Sequence, residues 1–133
     1  LRGAVELEPD LGAAHAALGF GLMDATEEVT EAATHLERAL ELDARNAAAR
    51  ISLGRLLLQV GRDDDAVAAF RVARRLHPYN PDVLFNLGVA LARTGRTGGA
   101  ARALEAAVRV NPDDLEARAA LRALRRQPAP DQD

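Results

Sequence analysis

The sequence predicts an all-α solenoid of antiparallel helix hairpins. Three observations carry the prediction: a text that repeats every 34 residues, apolar side chains at helical spacing inside each repeat, and glycine and proline at matching places in successive repeats. The clearest copy is 47–80. Moved forward by 34 positions, Leu53-Gly54 falls on Leu87-Gly88, Gly61-Arg62 on Gly95-Arg96, Ala66 on Ala100, Ala73 on Ala107 and Pro78 on Pro112. Moved back, it meets Leu18-Gly19 at an offset of 35, then Ala32, Ala39 and Ala44 at 34, the last standing where Pro78 stood. A fixed period of about 20 to 50 residues marks repeat architectures. Each unit of such a fold buries one side of itself and must stack on its neighbours.

In chain order, residues 1–11 read as the end of a truncated preceding repeat, because Ala4 sits at the offset of Ala39 and Pro9 closes the stretch. With no initiator methionine, the chain is expected to be a piece of a longer protein. Repeats follow at 12–46, 47–80 and 81–114, the first lacking a turn glycine in Asp24-Ala25-Thr26-Glu27. Within 47–80, Leu53, Leu56, Leu57 and Val60 recur at three- and four-residue spacing and form the expected inward stripe of a first helix. Gly61 supplies the left-handed residue that commonly ends a helix, and Asp63, Asp64 and Asp65 place carboxylates at the positive start of the next. Val67, Phe70, Ala73 and Arg74 are the stripe of that second helix, which Pro78 stops by disfavouring helical geometry at His77.

Gly54 lies inside a helix, where glycine costs about 1 kcal/mol relative to alanine, and Gly19 and Gly88 repeat it in register. A close helix contact is the expected reason, with Ala32, Ala66 and Ala100 facing the glycines. Gly98 and Gly99 are expected to loosen the start of the third repeat's second helix. A last helix over 115–127, N-capped by Asp113 or Asp114, should close the stack with Arg118, Arg122, Arg125 and Arg126 on its wet side. Residues 128–133, with Pro128 and Pro130, read as a disordered tail.

These residues resemble the tetratricopeptide repeat (TPR) family, whose pattern is large–x–x–Leu–Gly–x–x–Tyr followed by Ala–x–x–x–Phe–x–x–Ala and a terminal proline. Here it reads Arg50-Leu53-Gly54-Leu57 with Ala66-Phe70-Ala73-Pro78, then Leu84-Leu87-Gly88-Leu91 with Ala100-Leu104-Ala107-Pro112. The first copy is His15-Leu18-Gly19-Leu22 with Ala32-Leu36-Ala39 and Ala44 in place of proline. The family's Trp and Tyr positions hold smaller or polar residues. The resemblance implies a right-handed α-α superhelix whose first helices line a concave groove. Carried over position by position, the groove face is Ala13, Ala16, Ala17, Phe20, Met23 and Asp24, then Ala48, Ile51, Ser52, Arg55, Leu58 and Gln59, then Asp82, Phe85, Asn86, Val89, Ala92 and Arg93.

The function this implies is non-catalytic: a module that binds a peptide segment or helix of a partner protein. Phe20, Met23, Ile51, Phe85 and Val89 would give apolar contacts, and Arg55, Gln59, Asn86 and Arg93 a polar rim, the arginines holding an acidic side chain. The alternative is a regulatory or substrate-presenting arm of an enzyme or transcription regulator whose catalytic part lies upstream. The lysine-and-asparagine clamp of the chaperone-tail-binding members is not carried over, since only Asn86 matches it and the chain has no lysine.

Composition supports the absence of chemistry. There are no cysteines, so neither a disulfide framework nor thiol chemistry exists. His15 and His35 lack partners at metal-ligand spacing, and Ser52, the one serine, has no base among its helical neighbours. Asp63-Asp64-Asp65 lacks the spaced ligands of a calcium loop, and Gly95-Arg96-Thr97-Gly98-Gly99 lacks the Gly-Lys-Ser/Thr end of a phosphate loop. No cofactor is expected. A net charge of −3 with no basic stripe disfavours nucleic acid, and no apolar run approaches the roughly 20 residues that span a membrane. Residues 1–66 carry 13 acidic and 6 basic side chains, net −7, and residues 67–133 carry 7 and 11, net +4, an asymmetry compatible with self-association. The alanine-rich, lysine-free composition points to a GC-rich coding sequence, and a bacterial, cytoplasmic protein is expected.

Overall fold

The computed structural model describes residues 26–126. The expected first helix of the first repeat, with His15, Leu18-Gly19, Phe20 and Met23, lies outside the described residues, as do 1–11 and 128–133. Among the described residues the chain forms six helices and no strand: α1 (Thr26–Leu42), α2 (Ala47–Gln59), α3 (Asp63–Leu76), α4 (Pro81–Arg93), α5 (Thr97–Val110) and α6 (Leu115–Arg125). Helices α2 and α3 form one hairpin and α4 and α5 the next, and the helices stack in chain order into an all-α solenoid.

Periodic caps set the phase of the stack. Asn46 Oδ1 accepts from the Ala49 N–H at 3.0 Å, Asn80 Oδ1 from the Asp82 and Val83 N–H groups at 2.9 and 3.2 Å, and Asp114 Oδ1 from the Ala117 N–H at 3.1 Å. Each satisfies an amide that the first turn of α2, α4 or α6 would otherwise leave unpaired. Pro81 follows Asn80 at the one helical position where a missing N–H is harmless. Of the two cap candidates for α6 the structure uses Asp114, and Asn46 and Asn80, at the same phase, do the same work.

The hairpin turns are closed by Gly61 and Gly95, with φ of 82° and 80°. The Arg62 N–H donates to the Leu57 carbonyl at 2.8 Å and the Arg96 N–H to the Leu91 carbonyl at 2.9 Å, which ties off carbonyls at the helix ends. Gly98 and Gly99 lie in the first turn of a regular α5, which runs unbroken from Thr97.

The helical glycines admit a large apolar side chain rather than an alanine. A Cβ added to Gly54 would stand 2.4 Å from Cζ of Phe70, and one added to Gly88 would stand 2.7 Å from Cγ of Leu104. The expected facing residues Ala66 and Ala100 are fully buried, but for both glycines the closest atoms belong to the side chain one turn further along the second helix. Phe70 is wholly buried and packs with Leu87, Leu91, Leu104 and Leu121 in the main core.

The inward stripe of α2 differs from expectation. Leu56 is buried, Leu53 and Leu57 are half-buried, and Val60 is 44% exposed at the helix end. Leu58 and Ser52, both expected on the groove face, are 7% and 0% exposed. The cause is packing: α2 meets α1, α3 and α4 together, so burial extends around more of the helix than one stripe. Arg50, at the position of the large family residue, turns outward and donates from Nε to the Ala44 carbonyl at 2.9 Å, and Arg118, at the same phase, donates from Nη1 to the Pro112 carbonyl at 3.2 Å.

Candidate partner-binding groove

Helices α2 and α4 and the start of α6 enclose a groove of ≈ 680 Å³. Its wall comes from positions repeated in register on parallel helices: Ala48 and Asp82 and Glu116, Ile51 and Phe85, Arg55 and Val89, Gln59 and Arg93, joined by Asn86 and Leu58. A helical side chain at a given phase points the same way in every stacked repeat, which is why equivalent residues converge on one surface. Ile51, Phe85 and Val89 are half-buried, and Ile51 and Phe85 also pack against the core beneath. Together they form the apolar floor of the groove.

Ile51, Arg55, Gln59, Phe85, Asn86, Val89 and Arg93 all line this groove. Phe20 and Met23 lie outside the described residues. Ser52 is beneath the surface, and its hydroxyl has no hydrogen-bond partner. Glu116 was not anticipated on the wall. Its position in α6 repeats that of Asp82 in α4, the signal that would have found it.

The polar rim is partly occupied by the protein itself. Arg93 Nη2 donates to the Leu58 carbonyl at 3.2 Å and lies 3.2 Å from Asp63 Oδ1. That oxygen is buried and has no hydrogen bond, so what compensates it is the adjacent guanidinium charge. Beside this pair Arg96 Nη1 lies 3.2 Å from Asp64 Oδ1. Two of the three aspartates that open α3 thus reach across to the neighbouring hairpin, while Asp65 pairs with Arg62 at 2.7 Å. The Asn86 side-chain amide donates to the Asp82 carbonyl at 2.8 Å, which fixes its orientation along the wall.

At the opposite edge of the stack, neutral acceptors replace carboxylates. Arg45 Nη2 donates to the Leu76 carbonyl at 3.1 Å, and His77 Nε2, 2.8 Å from the Arg45 carbonyl, donates to it in return, since a carbonyl can only accept. Among the described residues no group of three or more His, Asp or Glu side chains is placed to hold a metal ion, and no helix is long and apolar enough to cross a membrane.

Two family models, both described as tetratricopeptide repeat, match residues 24–81 and 64–124. The peroxisomal targeting signal receptor of Komagataella phaffii is 27% identical over 102 residues, 77% of this chain and 18% of the receptor. The receptor of the same name from Candida albicans is 28% identical over 88 residues, 66% of this chain and 15% of the receptor. The chain therefore spans less than a fifth of the length of these relatives. Among solved structures it is similar to YrrB, a TPR protein with an unusual peptide-binding site, with a TM-score of 0.72 and 29% identity over 84% of this chain and 57% of YrrB. It is also similar to the first TPR of Spaghetti (RPAP3) bound to the HSP90 peptide SRMEEVD, at TM-score 0.77 and 15% identity, covering 86% and 90% of the two chains. MamA superposes at TM-score 0.78 and 21% identity, covering 92% and 71%. At these lower identities the last two likenesses are of fold.

Proposed function

Because this chain belongs to the tetratricopeptide repeat family, we propose that it is a non-catalytic interaction module that seats a peptide segment or helix of a partner protein in the groove of α2, α4 and α6. The observation that carries the reading is the groove itself: a ≈ 680 Å³ concavity whose floor is Ile51, Phe85 and Val89, the first two also packed against the core beneath. Apolar side chains lined up in a concave surface and rimmed by polar ones are the composition of a docking site. The peptide-binding site of YrrB, at 29% identity, supports the reading, and so does the targeting-signal receptor name shared by the sequence relatives.

The test is a selection from a displayed random-peptide library followed by titration of the winners. Ala48 is exposed on the groove wall, so Ala48→Trp fills the groove without touching the core. Selected peptides are expected to bind with roughly micromolar affinity, since so short a stack buries only a small interface. They should lose binding to Ala48→Trp while the helical circular dichroism signal stays unchanged. Equal affinity for the parent and the filled variant would place docking on another surface.

A further inference from the structure

The charges of the groove are segregated. Of its two arginines, Arg93 is bound to the Leu58 carbonyl and paired with Asp63, and Arg55 stands on α2. The carboxylates Asp82 and Glu116 stand on α4 and α6, both exposed and both on the groove wall. Among the described residues neither carboxylate has a hydrogen-bond or ion-pair partner. Nor are they used as helix caps, because Asn80 and Asp114 already take the first-turn amides of α4 and α6. With Arg93 neutralised by Asp63, the α4–α6 end of the groove is left with negative charge over an apolar floor.

Resting on the docking reading above, we infer that the segment this groove takes is apolar and cationic: apolar side chains over Ile51, Phe85 and Val89, with lysine or arginine facing Asp82 and Glu116. This polarity is opposite to the one that the arginines alone suggest in the sequence. An acidic segment would meet two uncompensated carboxylates and find Arg93 already engaged. The repeat also suggests a spacing. Directly packed helices lie roughly 8–10 Å apart, which sets the scale expected for the separation of equivalent positions on α4 and α6. A polyproline-II segment turns every third side chain to one face at about 9 Å, which places cations three positions apart opposite both carboxylates.

Three capped peptides of one length test this by fluorescence anisotropy on the whole chain: an apolar frame with two lysines three positions apart, and the same frame with glutamates or with glutamines. The lysine peptide is expected to bind tightest. It should lose about fivefold in affinity on Asp82→Asn/Glu116→Gln, as two exposed charge pairs allow. Its affinity should fall with added salt, whereas the glutamine peptide's should not. All binding should vanish on Ala48→Trp. Tighter binding of the glutamate peptide, or a lysine peptide indifferent to Asp82→Asn/Glu116→Gln but still lost on Ala48→Trp, would overturn the charge inference and leave the groove standing. Binding indifferent to Ala48→Trp would remove both, and no binding by any of the three would overturn the charge inference alone.

Discussion

Arg93 Nη2 lies 3.2 Å from Asp63 Oδ1 and 3.2 Å from the Leu58 carbonyl oxygen, joining the last turn of α4 to the turn between α2 and α3. The guanidinium therefore belongs to the joint between two hairpins as much as to the groove wall. Arg93→Ala is expected to lower stability by about 1 kcal/mol, the upper range for a half-exposed pair, because it strands a carboxylate oxygen that has no hydrogen bond. Asp63→Ala on top of it should cost little more. A double-mutant cycle in urea checks this, and additivity of the two changes would show that the pair is not coupled.

Two glycines with the same residue type have different reasons to be there. Gly54→Ala drives a Cβ into the Phe70 ring and should destabilise by about 1–3 kcal/mol, with part of the loss recovered by Phe70→Leu. Gly61→Ala meets no atom but holds an L-residue at a φ of 82°, so it should cost about 1–2 kcal/mol, be insensitive to Phe70→Leu, and be milder as Gly61→Asn. Chemical denaturation of the single and double variants separates the steric case from the conformational one.

Ser52 is fully buried with an unsatisfied hydroxyl. Ser52→Ala removes the stranded group and places a better helix former in α2, so stability is expected to rise by about 1 kcal/mol. A lower melting temperature for the alanine variant would mean that the hydroxyl has a partner.

Neighbouring loop residues should respond unequally. Asn80→Ala deletes both hydrogen bonds that start α4 and is expected to cost about 1 kcal/mol. Tyr79, 79% exposed, should tolerate alanine within about 0.5 kcal/mol. Thermal unfolding of the two variants side by side gives the comparison.

The repeat was legible in the sequence because the residues that recur, Gly54 with Phe70 and Gly88 with Leu104, are the ones whose shapes close each hairpin. The wall of the groove could be placed on Ile51, Phe85, Val89 and Arg93 because the family resemblance names the face of the first helices and the repeat period carries it from one helix to the next. Depth was harder to read. Ser52 shares that face but is submerged, and Leu58 reaches the groove wall while only 7% exposed, since burial in α2 depends on three neighbouring helices at once. The bond from Arg93 to Asp63 joins residues distant in the chain and has no local pattern to announce it. Glu116 escaped notice because α6 was read only as the end of the stack, although its second residue repeats the place of Asp82.

The two long edges of the stack are sewn with different thread. Along the hairpin turns the stitches include two ion pairs, Arg93 with Asp63 and Arg96 with Asp64, beside the bond from Arg93 to the Leu58 carbonyl; along the loops between hairpins they are Arg45 and His77 bonded to main-chain carbonyls. Dissolved salt weakens the first kind far more than the second. Rising ionic strength should slacken one margin while the other keeps its length, as a bimetallic strip bends when its two faces respond unequally. The curvature of this short spring, and with it the width of the groove on its flank, is then expected to depend on the ionic medium, to be read as a change in radius of gyration by small-angle scattering with and without Asp64→Ala.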